Sequence, residues 1–303
     1  LSIRRQRQMC IRDRLYIGFM QAISTFCNAG FIFFDNNLPY KMVGDVLFNI
    51  NTIALIIIGG FGYLAAFDIW SHRKVRRFAD LKLHTKLMLI GTTLLIVLGV
   101  IIFLGVEWAN PKTLGPLPMW DKVMAAIFQS VTPRTAGIAT VDYGQLHPIT
   151  LVVSIILMFI GAGPNSTGGG VKISTVMVAI LASCTLFNNR SDVEVFGRRI
   201  SMVTVLKANG IIFLSLLLVL LATCYLAWDE PFDFIRLLFE VTSAFGTVGL
   251  TTGITPDLSE SSKWVLILVM FTGRVGVMTV IGTWALRTKP NKPISYAEEN
   301  VML

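Results

Sequence analysis

Charge is scarce in this chain. Asp, Glu, Lys and Arg make up 15% of its 303 residues, against about 25% in soluble domains. That shortage excludes an ordinary water-soluble globule. Cysteine is also scarce. Cys10, Cys27, Cys184 and Cys224 show no paired spacing, which excludes a disulfide framework and a zinc site. The three histidines, His72, His84 and His147, are isolated. With no metal cluster and no nucleophile beside a base, the sequence reads as a non-enzyme. The opening LSIRRQRQMCIRDR is basic and lacks the apolar region of a signal peptide. Residues 1–14 read either as a cytoplasmic segment or as translated adapter sequence and stay outside the fold prediction. The first residue is Leu, so the chain reads as a fragment.

Apolar residues are abundant, at 54% of the total, with a mean hydropathy of +0.68. A run of about 20 apolar residues crosses a bilayer as a helix. Candidate spans lie at 45–70, 87–106, 148–187, 203–227 and 264–286. Three shorter helical patterns, 15–28, 119–131 and 232–245, fall below that length. These features predict an all-α polytopic membrane protein. The span 148–187 is too long, because forty residues of unbroken helix would reach about 60 Å, twice the hydrocarbon thickness. It must break, and GAGPNSTGGGVK at 161–172 supplies the helix-interrupting residues.

The net charge of +8 is concentrated in short segments. Arg73, Lys74, Arg76, Arg77, Lys82 and Lys86 form one group, Arg190, Arg198 and Arg199 a second, and Arg287, Lys289 and Lys292 a third. Such loops face the cytoplasm. Glu107, Asp121, Asp229, Glu230 and Asp233 mark the opposite side. This placement argues for topology signals in a lipid membrane and against nucleic-acid binding.

The chain also repeats itself. AISTFCNAGF, QSVTPRTAGI and VTSAFGTVGL align without gaps up to Gly30, Gly137 and Gly249, which lie 107 and 112 residues apart. Each unit reads as span, short helix, glycine turn, span. A short helix that enters the membrane without crossing leaves non-helical backbone there, which must line a wet cavity. Several such turns around one axis would present carbonyl oxygens able to replace the hydration shell of a potassium ion.

SVTPRTAG, NSTGGGVK and FTGRVG resemble the Trk/Ktr/HKT superfamily of potassium transporters, and FTGRVG favours the KtrB-type membrane subunit over the TrkH type. The resemblance implies repeated helix–pore-helix–helix units around a pseudo-fourfold pore axis, with the first repeat missing here. It divides the chain into the basic segment 1–14, the second repeat at 15–72 without its first membrane helix, the third at 73–190 with its broken helix, the fourth at 191–290, and a cytoplasmic tail at 291–303. It implies a potassium filter at Asn28, Ala29 and Gly30, at Thr135, Ala136 and Gly137, and at Thr247, Val248 and Gly249. Only TVG at 247–249 keeps the pattern of ordinary potassium channels, so looser selectivity over sodium is expected.

The resemblance also makes 161–172 a gating loop below the filter. Gly161, Gly163, Gly168, Gly169 and Gly170 would be its hinges, and Asn165, Ser166, Thr167 and Lys172 its polar groups. Arg274 would hold the gate. A charge at a helix centre costs about 2.5–3.5 kcal/mol on insertion scales, so Arg274 is expected to face the bundle interior with partners. Implied partners are a homodimeric second copy and a cytoplasmic KtrA-type nucleotide-binding ring, with K+ as transported ion, Na+ as activator and no covalent cofactor. The implied location is the bacterial inner membrane.

Competing readings of these residues are weaker. A phosphate loop needs G-x-x-x-x-G-K-[ST], and Gly169 stands where the Lys belongs. A simple kink needs fewer than twelve residues. A secondary transporter with broken helices predicts inverted repeats, whereas these run in one sense. A non-conducting accessory fragment is the remaining alternative. Arg134 reads as a brace for its short helix, Cys27 as a buried packing residue, and Asp35 and Asp142 as solvated turn residues.

Overall fold

The computed structural model describes residues 2–33, 42–72, 78–188 and 192–285. Asp35, Arg73 to Arg77, Arg190 and the tail 291–303 lie outside the described residues. Among the described residues the regular structure is helical, apart from one short hairpin. In order, the helices are α1 (Ser2–Phe26), α2 (Val46–Phe61), α3 (Tyr63–Ser71), α4 (Leu83–Glu107), α5 (Met119–Val131), α6 (Pro148–Phe159) and α7 (Ile173–Phe187). The hairpin β1 (Val193–Val195) and β2 (Arg198–Ile200) follows, then α8 (Met202–Asp229), α9 (Phe234–Gly246), α10 (Glu260–Val275) and α11 (Val277–Ala285).

Among the described residues two helices, α4 and α8, are long and apolar enough to cross a membrane unbroken, and α2 with α3 forms a third candidate bent by 96°. The pattern-based boundaries of α4, α5, α8 and α9 hold to within a few residues. The short helices occupy the centre. In α9, Leu237, Phe239, Val241 and Phe245 are all buried, and Phe239 packs on Tyr143 with ring centroids 5.4 Å apart. α9 touches α6, α8 and α10, while α5 lies against α4. The long helices instead expose apolar side chains such as Ile101, Phe213 and Leu221, as lipid-facing helices do. A short helix surrounded by longer ones keeps its backbone ends away from lipid, which cannot hydrogen-bond them.

Helix α1 begins at Ser2 and runs 25 residues, so the short pattern at 15–28 is the second half of a longer helix, and three further features depart from the sequence prediction. The span 45–70 breaks at Gly62 and the span 264–286 at Gly276. Both glycines adopt the same conformation, φ 88° ψ 135° and φ 96° ψ 130°, a region that side-chain-bearing residues avoid. The signal was present as GGFG and GRVG, with Gly59 and Gly273 each three residues before the kink. A Cβ on Gly59 would collide with the Phe26 carbonyl oxygen, and one on Gly273 with that of Phe245, so this first glycine admits the end of a short helix.

The second departure is the basic loop around residue 195, which forms a hairpin pairing Val193 with Ile200 across a Phe196–Gly197 turn, both turn residues at positive φ. A two-residue turn of that kind matches the twist of paired strands. The third is Lys86. It is a buried residue whose Nζ donates to the Ala79 carbonyl at 2.7 Å and lies 5.4 Å from the Phe196 ring, so it fastens the hairpin rather than standing free as a topology charge.

Candidate ion path

The glycine turns that follow α1, α5 and α9 share a backbone form. Asn28, Thr135 and Thr247 have φ of 49°, 71° and 51°, and Gly30, Gly137 and Gly249 have φ of 73°, 73° and 89°. The turns also meet. A Cβ on Gly30 would stand 3.4 Å from the Val248 carbonyl oxygen and 3.5 Å from that of Ala136. One on Gly137 would land on the Val248 carbonyl oxygen and lie 3.3 Å from Gly30 Cα. The carbonyls of Ala136 and Val248 thus approach the neighbouring glycines directly. The three turns are in van der Waals contact, closed on one another at the glycine level.

Each turn is held by side chains at positions that the repeat pattern does not mark. Ser24, Thr132 and Ser243 donate to the carbonyls of Phe31, Ile138 and Leu250 at 2.9, 2.5 and 2.6 Å. Each acceptor is the residue directly after the glycine. A turn deeper in each short helix, Gln21 Oε1 accepts from the Phe33 N–H at 3.1 Å, and Gln129 Nε2 donates to Thr140 Oγ1 at 3.3 Å. Glu240 Oε1 accepts from the Thr252 N–H at 2.8 Å and from Thr251 Oγ1 at 2.7 Å. Phe33, Thr140 and Thr252 all lie three residues after their glycine. The donors of the middle unit sit one residue closer to the glycine than their counterparts, so a gapless alignment hides the match.

The outer ends are tied in the same manner. Glu107, at the end of α4, accepts from the His147 N–H at 2.8 Å and from Thr150, Thr113 and Asn110 side chains at 2.6, 2.6 and 2.7 Å. Glu230, after α8, accepts from the Ser259 N–H at 2.7 Å. That N–H bond, the largest influence on the group, helps hold the Glu230 carboxyl below its ordinary value of 4.5. The sequence marks these carboxylates only as charges on the side opposite the basic loops. They are buried acceptors because each must satisfy the first donors of the helix beginning beside it.

The segment 161–172 runs beneath the turns. Its ends lie side by side, with Gly161 N–H donating to the Val171 carbonyl at 3.0 Å and Val171 N–H to that of Phe159 at 3.1 Å. Gly163 N–H donates to the Gly60 carbonyl at 2.9 Å, and the Asn165 carbonyl accepts from Tyr63 N–H at 3.3 Å. Ser166 Oγ donates to the Gly163 carbonyl and Lys172 Nζ to the Gly168 carbonyl, both at 2.6 Å. Gly170 takes a φ of 72°.

Three consecutive residues face the inner residue of the three turns in order. Thr167 Oγ1 accepts from Asn28 Nδ2 at 3.1 Å. A Cβ on Gly168 would stand 2.5 Å from Thr135 Oγ1, and one on Gly169 2.5 Å from Thr247 Oγ1. Glycine at 168 and 169 is what allows this approach. Asn28 Oδ1, Thr135 Oγ1 and Thr247 Oγ1 are buried without a hydrogen-bond partner.

Arg274 Nη1 donates to the Thr167 carbonyl at 2.5 Å. Its expected enclosure is not observed, since Arg274 is exposed. The break at Gly276 places it in the last turn of α10 rather than at a helix centre, where a cation complements the helix dipole. Arg134 is buried and donates to Thr92 Oγ1 on α4 at 3.3 Å. Cys27 is exposed, against the expectation of a packing residue, because α1 ends at Phe26 and the next buried side chain is that of Asn28. Asp142 caps its own turn by accepting from Gly144 N–H at 2.9 Å.

Apolar helices of membrane length packed around buried shorter ones define a polytopic helical membrane protein. The family model described as TrkH, cation transport protein, matches residues 3–291, and the chain belongs to that family. It is 39% identical to Ktr system potassium uptake protein B of Bacillus subtilis over 96% of this chain and 64% of the relative. It is also 39% identical to the protein of the same name from Vibrio alginolyticus, over 100% of this chain and 66% of the relative, so it spans a little under two thirds of these proteins. Potassium/sodium uptake protein NtpJ of Enterococcus hirae is 37% identical over 95% of this chain and 64% of its own length. The crystal structure of the potassium transporter TrkH from Vibrio parahaemolyticus shares the fold with a TM-score of 0.69 at 20% identity, covering 88% of this chain and 56% of that one. The family, the fold and the membrane-length helices make this a multi-pass plasma-membrane protein.

Proposed function

We propose that this chain forms most of a potassium uptake pore of KtrB type in a bacterial inner membrane. The filter is built by residues 28–30, 135–137 and 247–249, and the segment 161–172 with Arg274 is the gate. The observation that carries the reading is the convergence of three turns from segments 107 and 112 residues apart, with one loop crossing beneath all of them. Main-chain oxygens in such turns suit a dehydrated cation. The unpartnered side-chain oxygens at the inner end add neutral donors, each costly to leave unpaired.

A pseudo-fourfold ring requires a further unit beside these three turns. The greater length of the Ktr relatives supports such a unit. The name of those relatives, a Ktr system, supports a multi-component assembly. We assign the partner role to a KtrA-type nucleotide-binding ring below a homodimer, with Na+ as activator and transport as passive flux.

Rubidium or potassium uptake by the full-length protein in a transport-deficient bacterial strain tests the reading. Gly137→Ala is expected to lower uptake at least tenfold at equal membrane abundance, because the added Cβ meets the Val248 carbonyl oxygen and φ of 73° disfavours a side chain. Uptake equal to wild type would remove residues 135–137 from the path.

A further inference from the structure

Asn28 differs from its two counterparts. Thr135 and Thr247 lie against Gly168 and Gly169, yet their hydroxyls hydrogen-bond to nothing among the described residues. Asn28 is 3% exposed and its Nδ2 reaches Thr167 Oγ1 at 3.1 Å, while its Oδ1 stays buried and unpartnered. An amide has separate donor and acceptor atoms, whereas a hydroxyl must serve both needs with one oxygen.

The residue it grips is the most heavily held in the loop. Thr167 N–H donates to the Gly59 carbonyl at 3.4 Å. Its hydroxyl lies 3.1 Å from the Gly59 carbonyl oxygen and 3.3 Å from that of Phe26. Its own carbonyl accepts from Arg274. The hydroxyl hydrogen is therefore directed at a main-chain carbonyl, and the oxygen lone pair is left for the Asn28 amide.

We infer that Asn28 is a latch: it fastens the loop 161–172 shut from the filter side through Thr167, while its free oxygen remains available to the ion path. The inference rests on the pore reading above and deepens it by naming a positioning residue for the gate. Of the three inner residues, Asn28 alone makes a hydrogen bond to the loop among the described residues, so gate and filter are coupled through the first turn and not symmetrically. Threonine in its place keeps an oxygen but lacks the separate donor.

Potassium uptake by the full-length protein in vesicles, measured across external K+ concentrations, tests this. Asn28→Thr is expected to raise the maximal rate about three- to tenfold. Thr167→Val should do the same, Thr167→Ser should behave as wild type, and Asn28→Thr with Thr167→Val should exceed neither single variant. Effects that multiply, an unchanged maximal rate in Asn28→Thr, or a Thr167→Ser as open as Thr167→Val would overturn the latch. Should Asn28→Thr not reach the membrane, the Thr167 pair decides alone: Val fast and Ser normal supports the latch, and equal rates refute it. A wild-type protein that moves no K+ defeats the pore reading itself, which separates the two failures.

Discussion

The chain breaks its membrane helices in two different ways. After the third and last turn, α10 stops at Gly276 and α11 starts at once, with Gly276 N–H still bonded to the Thr272 carbonyl at 2.9 Å and Val280 N–H to that of Gly276 at 3.2 Å. After the middle turn, α6 and α7 are separated by residues 160–172, which cross beneath all three turns before the helix resumes. A single glycine redirects a helix and leaves its hydrogen-bond ladder nearly whole. A dozen residues open the ladder and place backbone beneath the three turns. The freed groups are then met by α1, α2 and α3, through Phe26, Gly59, Gly60 and Tyr63. A loop held by neighbours, and not by its own helix, is the element able to move.

Converting the long break into a short one should have the largest effect. Replacing residues 163–169 by one glycine is expected to raise flux more than tenfold, and a rate at or below wild type with the protein present in the membrane would argue that the segment does not obstruct the path. The converse change tests the simple break. Gly276→Ala forces a side chain into φ 96°, which costs about 1–3 kcal/mol, visible as a lower melting temperature in detergent. An unchanged melting temperature would mean the kink relaxes freely.

Arg274 joins the two kinds of break, since it sits at the end of α10 and bonds the loop. Because it is exposed, its contact is worth about 1 kcal/mol, so Arg274→Ala should raise flux about fivefold. Unchanged or reduced uptake would remove it from the gate. The smallest effect is at Glu230. The Ser259 N–H bond favours the charged carboxylate and lowers its pKa from 4.5. The stabilisation is therefore complete above the unfolded value of about 4.3 and is lost as pH falls through the folded one. A Glu230→Gln variant should lose this acid-side slope, while matching wild type near neutral pH only if the amide still accepts from Ser259.

Much of this was legible in the residues. Span lengths follow from hydropathy, which each residue contributes independently of its neighbours in space. The excess length of 148–187 forced a break, and GAGPNSTGGGVK marked its position. The kinks at Gly62 and Gly276 were missed because one glycine does not alter an apolar average. The matched holders Ser24, Thr132 and Ser243 were missed for a related reason. A one-residue offset in the middle unit shifts them out of a gapless alignment, although their carbonyl targets all follow the glycine directly.

The sequence by itself determined which segments are apolar enough for membrane, which helices are too short to cross, and where glycine lets the backbone turn, because these are local properties of composition and dihedral preference. Only the tertiary structure decided that three turns meet, that Thr167, Gly168 and Gly169 face them in order, that Glu107 and Glu230 are buried acceptors, and that Asn28 rather than Thr135 or Thr247 grips the loop. Those contacts join residues more than a hundred positions apart, and the path that brings them together is set by how the long helices pack around the short ones.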